Sequence, residues 1–402
     1  MPPKQPFARQ AGEPFPPGRV GAGALWLGIL LLGGCAVGPN YQRPPVNAPP
    51  AFRGEARAST NSFGDLPWWE VFHDERLQSL IHIALTNNYD LRIAVTRVEQ
   101  ARALAAQARS QFLPQVNYGA LAGQGKNVSP SGGAPFPGLA SSSIFLGDVN
   151  ASWEIDLWGR IRRLTESARA QYLASEEARR DVTTSIIAQV AQGYFQLLAL
   201  DRQLAIAQAA TNSFGDSLKL FNDRLRGGVA SKLETSSAEA LLESSAAAIP
   251  DFKRQMALVE NQLSVLLGQN PGAIAHPGSD FDKQSPPDVP AGLPSRLLER
   301  RPDIREAEQQ LRSANAQVGV AEADFFPELS LTALFGRVSP ELSTITAGSA
   351  TAWSAAAGLS GPLFHGGQLR AQYRQAKAAR DQFTLQYQAT VLNAMPVSLF
   401  YK

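Results

Sequence analysis

With 402 residues, 44% of them hydrophobic, the chain has material for two or more ordinary domains and a buried core. Its formal charge of +2 is carried by Lys4, Arg9 and Arg19 against Glu13, so the remainder is neutral and offers no electrostatic case for nucleic acid. A single cysteine, Cys35, excludes an internal disulfide.

Residues 1–34 read as a cleaved secretory signal. Basic residues precede a short apolar run from Ala24 to Leu32, ALWLGILLL, far below the roughly 20 residues a spanning helix needs. Leu32-Gly33-Gly34-Cys35 resembles the lipobox of bacterial lipoproteins. That resemblance implies a lipid on Cys35 (S-diacylglycerol and N-acyl), and Ala36 after it implies sorting to the outer membrane. Acyl chains contribute about 0.8 kcal/mol per buried CH₂, so several chains tether firmly. The alternative is a buried free cysteine beside a plain signal peptide. Residues 35–75 form an extended lipidated arm, rich in Pro, Ala and Asn from Val37 to Ala58. Trp68 and Trp69 are expected to pack over the start of the first long helix rather than stack a ligand.

The stretch Asp90 to Pro114 returns without a gap at Asp303 to Pro327, 213 residues later, with Arg92/Arg305, Ala94/Ala307, Phe112/Phe325 and Pro114/Pro327 among the identical pairs. One supersecondary unit is used twice. Each copy predicts a long helix. A seven-residue row (Leu77, Ala84, Leu91, Val98, Ala105, Phe112, and in the second copy Leu297, Ile304, Leu311, Val318, Phe325) is apolar throughout. Period seven keeps such a stripe in line only where helices supercoil against neighbours. Pro114 and Pro327 are the helix-to-strand breaks, because proline removes a donor and biases the residue before it towards extended geometry.

The period then changes to two. Val116, Tyr118 and Ala120 open one hairpin (115–155), whose return strand from Ile144 carries Val149, Ala151, Trp153 and Ile155 on one face; the loop is expected over 123–143. The second hairpin (328–361) repeats this with Leu329, Leu331, Ala333 and Phe335, a loop over 337–350, then Trp353, Ala355, Ala357 and Leu359. The strands approach the 9–11 residues that a tilted transmembrane strand needs. Four strands do not close a barrel, and an open edge in lipid costs several kcal/mol per unsatisfied group, so membrane strands here imply a barrel shared between chains. Aromatic residues near the strand ends (Tyr118, Phe145, Trp153, Phe335, Trp353) favour the membrane over soluble surface hairpins.

Helices are expected over 160–208, 211–225 and 231–267, with Val182, Ile186, Val190, Tyr194 and Leu197 on one side of the first. Gly227 and Gly228 close one helix; Ser231 caps the next, with Glu234 three residues on as in a capping box. A Pro/Gly-rich linker (269–293) joins a first repeat (76–268) to a second (294–402).

PWWEVFHDERLQSLIHIALTNNYDLRIAVTRVEQAR, SWEIDLWGRIRR, LENQLSVLLG and LPSRLLERRPDIREAEQQLRSANAQVGVAEADFFPELSL resemble the outer membrane factors of tripartite efflux systems, in the NodT/OprM/TolC-like lipoprotein branch. The resemblance implies a mainly α fold with membrane β-hairpins. Long coiled-coil-like helices form a periplasmic α-barrel, and four strands per chain enter a homotrimeric twelve-stranded outer-membrane β-barrel. It implies a passive duct for drugs or other small solutes, docked to a periplasmic adaptor (membrane fusion) protein and an inner-membrane pump of the resistance-nodulation-division type. It places a candidate periplasmic gate at the tip, at Gly227, Gly228 and Glu234, with helix capping as the competing role for Glu234.

By the repeat offset the second half is expected to run about 70 residues past Lys402. The ending MPVSLFYK departs from the family pattern, which suggests truncation and leaves Leu385, Val391 and Leu392 as exposed seam. Alternatives are a periplasmic coiled-coil adaptor or scaffold lipoprotein, or a non-functional shortened channel. No enzyme, cofactor or metal is expected: His73, His82, His276 and His365 lack ligand spacing, and no P-loop or GxSxG occurs.

Overall fold

A computed structural model describes residues 36–46, 67–125, 142–275 and 299–397. Cys35 and the lipobox residues Leu32, Gly33 and Gly34 lie outside them, as do most of the linker, Leu297 and His276. The chain divides into two compact units, one built from residues 1–39, 110–163 and 319–372 and the other from 40–109, 164–318 and 373–402. Among the described residues the elements are α1 (Trp68–Val71), α2 (Glu75–Asn87), α3 (Tyr89–Ser110), β1 (Gln115–Gly125), β2 (Ser142–Ile155), α4 (Arg160–Arg226), α5 (Lys232–Leu266), α6 (Pro302–Ala323), β3 (Glu328–Ser339), β4 (Thr351–Ser360) and α7 (Gln368–Val397).

The second unit is helical. Asp74 caps α2 by accepting from the amides of Arg76 (2.9 Å) and Leu77 (3.1 Å), and its other oxygen accepts from the buried Tyr194 hydroxyl at 2.9 Å. Leu77 and Ile81 of α2 pack with Ile186, Val190, Tyr194 and Leu197 of α4 and with Val259 and Leu263 of α5. Each such side chain contributes about 1.5–3 kcal/mol on burial. Gly193 lets α4 and α5 approach, since a Cβ there would lie 2.8 Å from Leu263 Cδ2. Trp68 packs against this core, whereas Trp69 is exposed and meets Trp68 edge-on at 5.5 Å.

Two expectations about these helices are corrected. The first apolar row does not run through one helix: the chain breaks at buried Asn88, whose Oδ1 accepts from the Leu91 amide (3.0 Å) and whose Nδ2 donates to the Leu266 carbonyl (2.9 Å). Conversely, no break separates 208 from 211. α4 runs unbroken for 67 residues; within it Thr211 Oγ1 donates to the Ala207 carbonyl (2.8 Å) and meets Ser245 Oγ of α5 at 3.0 Å. α3 and α6 are true repeats with identical lengths of 22 residues.

A second cluster joins Ile304 and Leu311 of α6 to Tyr387, Val391 and Ala394 of α7. Val391 is therefore buried, against expectation, while Leu385 and Leu392 are exposed. Tyr41 packs on this cluster, and its hydroxyl donates to Glu308 at 3.3 Å. Arg43 and Arg312 also bond Glu308, the latter at 2.7 Å. Burial alone would raise the Glu308 carboxyl, but the two guanidinium groups outweigh it and hold it below the usual range. The same burial, with Glu308 beside it, pushes the Tyr41 phenol up to about 12.

In the first unit the arm is held where glycine is required. Gly38 has φ 90°, and a Cβ on it would lie 2.4 Å from Gly319 Cα. Arg163 donates to the carbonyls of Val37 and Gly38, both at 3.1 Å. The main element of this unit is one antiparallel sheet in the order β1-β2-β3-β4. Its strands extend past the expected bounds: β1 runs to Gly125, β2 starts at Ser142, and β3 continues to Ser339 because Arg337 and Val338 still pair with Gly147 and Leu146.

Candidate functional site

The register sorts every strand residue onto one of two faces. Tyr118, Val149, Phe335 and Trp353 are successive cross-strand partners, as are Val116, Ala151, Ala333 and Ala355. On the same face follow Trp153–Leu331–Ala357 and Ile155–Leu329–Leu359. The opposite face carries Gln115–Ser152–Thr332–Ala356 and Asn117–Asn150–Leu334–Ser354. In a water-soluble sheet the apolar face packs on a core. Here it is bare among the described residues: Tyr118 is 89%, Trp353 74% and Phe335 66% exposed. Tyr118, Phe335 and Trp353 thus stand in one row across the sheet. Trp153 anchors differently, its indole donating to the Phe112 carbonyl at 2.9 Å.

The outer strands β1 and β4, of 11 and 10 residues, each have one neighbour. An apolar outside, a polar inside and two open edges are what a segment of a membrane barrel needs, since lipid satisfies no backbone group. No helix among the described residues is long and apolar enough to cross a membrane.

On the polar face the charged strand residues are Asp148, Glu154 and Glu328. Glu154 bonds Arg160 (2.9 Å), and Glu328 lies 4.0 Å from the same guanidinium. Asp148 accepts from Asn150 Nδ2 at 2.9 Å and lies between Gly119 and Gly336 in its row. A Cβ at Gly119 would come within 2.8 Å of Asp148 Oδ1, so glycine gives this carboxylate its room.

Pro114 and Pro327 stand between helix and strand as expected. At the second junction Trp158 stacks on Phe326 at 4.7 Å and donates to the Pro327 carbonyl at 2.8 Å.

At the far end of α4 the turn has fixed chemistry. Gly228 (φ 79°) donates to the Leu225 carbonyl and Val229 to that of Arg224, both at 3.0 Å. This is the left-handed glycine closure that satisfies terminal carbonyls. Ser231 then caps α5: its amide donates to Glu234 Oε2 (2.6 Å), and its Oγ accepts from the Glu234 amide (3.3 Å). The backbone bond from Ser231, then the hydroxyl bond, hold the Glu234 carboxyl below its usual range. Glu234 thus serves the cap. Beside it Val229 and Leu233 project, 74% and 76% exposed.

The outer membrane efflux protein family model matches residues 80–269 and 293–396. The chain belongs to the outer membrane efflux protein family. It is 34% identical over 381 residues to the toluene efflux pump outer membrane protein TtgC of Pseudomonas putida, covering 92% of this chain and 78% of the relative. It is 33% identical over 369 residues to the cation efflux system protein CusC of Escherichia coli, covering 91% and 79%. Among solved structures it is similar to the outer-membrane channel OprN, with TM-score 0.79 and 34% identity over 91% of this chain and 82% of that one. The open-state MtrE outer membrane channel of Neisseria gonorrhoeae gives TM-score 0.79 and 32% identity over 90% and 80%.

The chain is therefore an outer membrane efflux channel component, mostly periplasmic, whose four strands join a trimeric twelve-stranded barrel. That decides against the adaptor or scaffold alternative. The family is one of transport, and among the described residues no His, Cys, Asp and Glu group has metal-site geometry.

Proposed function

We propose that three copies of this chain make the passive exit duct of a tripartite efflux system, with the turn around Gly227 and Gly228 as the surface that a periplasmic adaptor engages. The observation that carries this reading is the tip: Val229 and Leu233 stand in solvent on a turn whose backbone is already satisfied. Apolar side chains on a rigid, capped turn suit a protein partner. Gly228 gives that turn its shape, and Glu234, fixed by the cap, places one carboxylate per chain at the periplasmic gate. An inner-membrane pump of the resistance-nodulation-division type supplies the cargo, and a lipid on Cys35 tethers the arm.

The duct does not choose its cargo. TtgC is named for toluene and CusC for cations, yet this chain is similar to both at nearly equal identity. Selection between such cargoes belongs to the pump, while polar side chains on the lumen wall tune the passage of ions. The test is Val229→Asp in a host lacking its own channel, supplied with pump and adaptor, with a photo-crosslinker at Leu233 as a second probe. The expected result is lost adaptor crosslinking and lost drug resistance at unchanged trimer abundance. Full resistance and crosslinking in the variant would overturn the docking assignment.

A further inference from the structure

Among the described strand residues every charge but one lies on the polar face. The exception is Arg337, whose row across the sheet is Ala120–Gly147–Arg337–Thr351, on the apolar face. Its side chain is exposed. A cation on a lipid-facing wall is costly at the midplane, and that cost falls towards zero at the interfaces.

The height of Arg337 follows from its strand. β3 leaves α6 at Pro327 and runs outward, and its first apolar-face residue, Leu329, is eight positions before Arg337. At about 3.4 Å per residue and a tilt of about 40°, that is about 20 Å along the membrane normal, against an apolar band about 25 Å tall. Arg337 therefore stands at the outer edge of the band. The row holding Tyr118, Phe335 and Trp353 lies one step below it, where interfacial aromatics belong, and above it the face ends in the polar pair Gln124 and Ser143.

The local structure suits an anion. Nη1 of Arg337 donates to the carbonyls of Ile345 (3.1 Å) and Ala347 (3.2 Å) in the connection to β4, which holds the guanidinium in place. Nε and Nη2 carry further N–H groups, and among the described residues no carboxylate pairs with them. The cross-strand neighbour Gly147 leaves room on the same face, since a Cβ there would meet nothing within 4 Å. A guanidinium anchored through one nitrogen, with space on the sheet beside it, matches the paired oxygens of a phosphate. We propose that Arg337 binds the phosphate of a phosphorylated glycolipid in the outer leaflet, one site per chain, with the acyl chains lying over the apolar rows below. Continuity with those rows favours a lipid over free phosphate. The proposal rests on the reading of the apolar face as lipid-facing and adds a headgroup to it.

The test uses full-length trimers purified from outer membranes and stripped of lipid by detergent exchange. They are mixed with diphosphorylated lipid A, or with the same lipid A after phosphatase treatment, and native mass spectrometry counts the bound molecules. Wild type is expected to bind the phosphorylated form at least about tenfold more tightly, and Arg337→Gln to lose that preference while still forming trimers. Equal affinity of wild type for the two lipids, a measurement that needs no variant, overturns the proposal. An undiminished preference in Arg337→Gln also overturns it and leaves Arg337 as a pin for the loop. Displacement of lipid A by excess inorganic phosphate overturns the assignment to a lipid. Failure of the lipid-facing reading shows separately, as wild-type chains that stay monomeric and bind neither form.

Discussion

Neighbouring residues 332 and 333 face opposite ways, so one substitution made at each position separates lipid from lumen. Ala333 sits mid-strand in the apolar row with Val116, Ala151 and Ala355, and Thr332 sits in the polar row with Gln115, Ser152 and Ala356. An arginine on the lipid face near the midplane costs about 2–4 kcal/mol, against about zero for one in a wetted lumen. With three chains per barrel, Ala333→Arg loses about 6–12 kcal/mol per trimer. Even about 2 kcal/mol per chain shifts a folding equilibrium roughly 30-fold. The assay is the fraction of outer-membrane protein that migrates as a heat-modifiable trimer in mild SDS. Ala333→Arg should abolish or sharply reduce that band, and Thr332→Arg should retain it. Equal loss in both, or greater loss for Thr332→Arg, would refute the assignment of faces.

Glu308→Gln should loosen the arm, since it replaces charge-assisted bonds from Arg43 and Arg312 worth about 1.5–3 kcal/mol; amide exchange in residues 36–46 is expected to rise roughly tenfold or more. The wild-type arm should loosen in acid by the same route. The folded Glu308 carboxyl lies below its ordinary 4.5, so its stabilisation is present above about pH 4.5 and fades as pH falls through the lower, folded value. Arm exchange that is indifferent to both changes would remove Glu308 as the anchor. Asp148→Asn removes the polar-face strand carboxylate that has no cationic partner among the described residues. The cation-to-anion permeability ratio of reconstituted channels should drop, and an unchanged ratio would show that selectivity is set elsewhere.

What the sequence made legible was local or repeated. The 213-residue return of helix, proline and strand could be read directly, because each copy carries the same period change. The turn at Gly227 and Gly228 and the Ser231–Glu234 cap could be read because their chemistry lies within a few residues. Features made by distant partners could not. Asn88 ends a helix through a carbonyl 178 residues away, and Glu308 gathers Tyr41 and Arg43 across more than 260 residues. The continuity of α4 through 208–211 is likewise seen only in the packed structure, where Thr211 meets Ser245 on the next helix. The aromatic row needs the register of both hairpins at once, which no single strand's sequence carries. Val391 is hidden for the same reason, since its cover comes from α6.

The central claim is that the sheet is one third of a closed membrane barrel. Cryo-electron microscopy of the full-length protein in detergent counts chains and strands together. The account predicts three chains around one axis and an unbroken ring of twelve strands, with every β4 paired to a neighbouring β1. A particle holding one chain, with both outer strands bare, would contradict it.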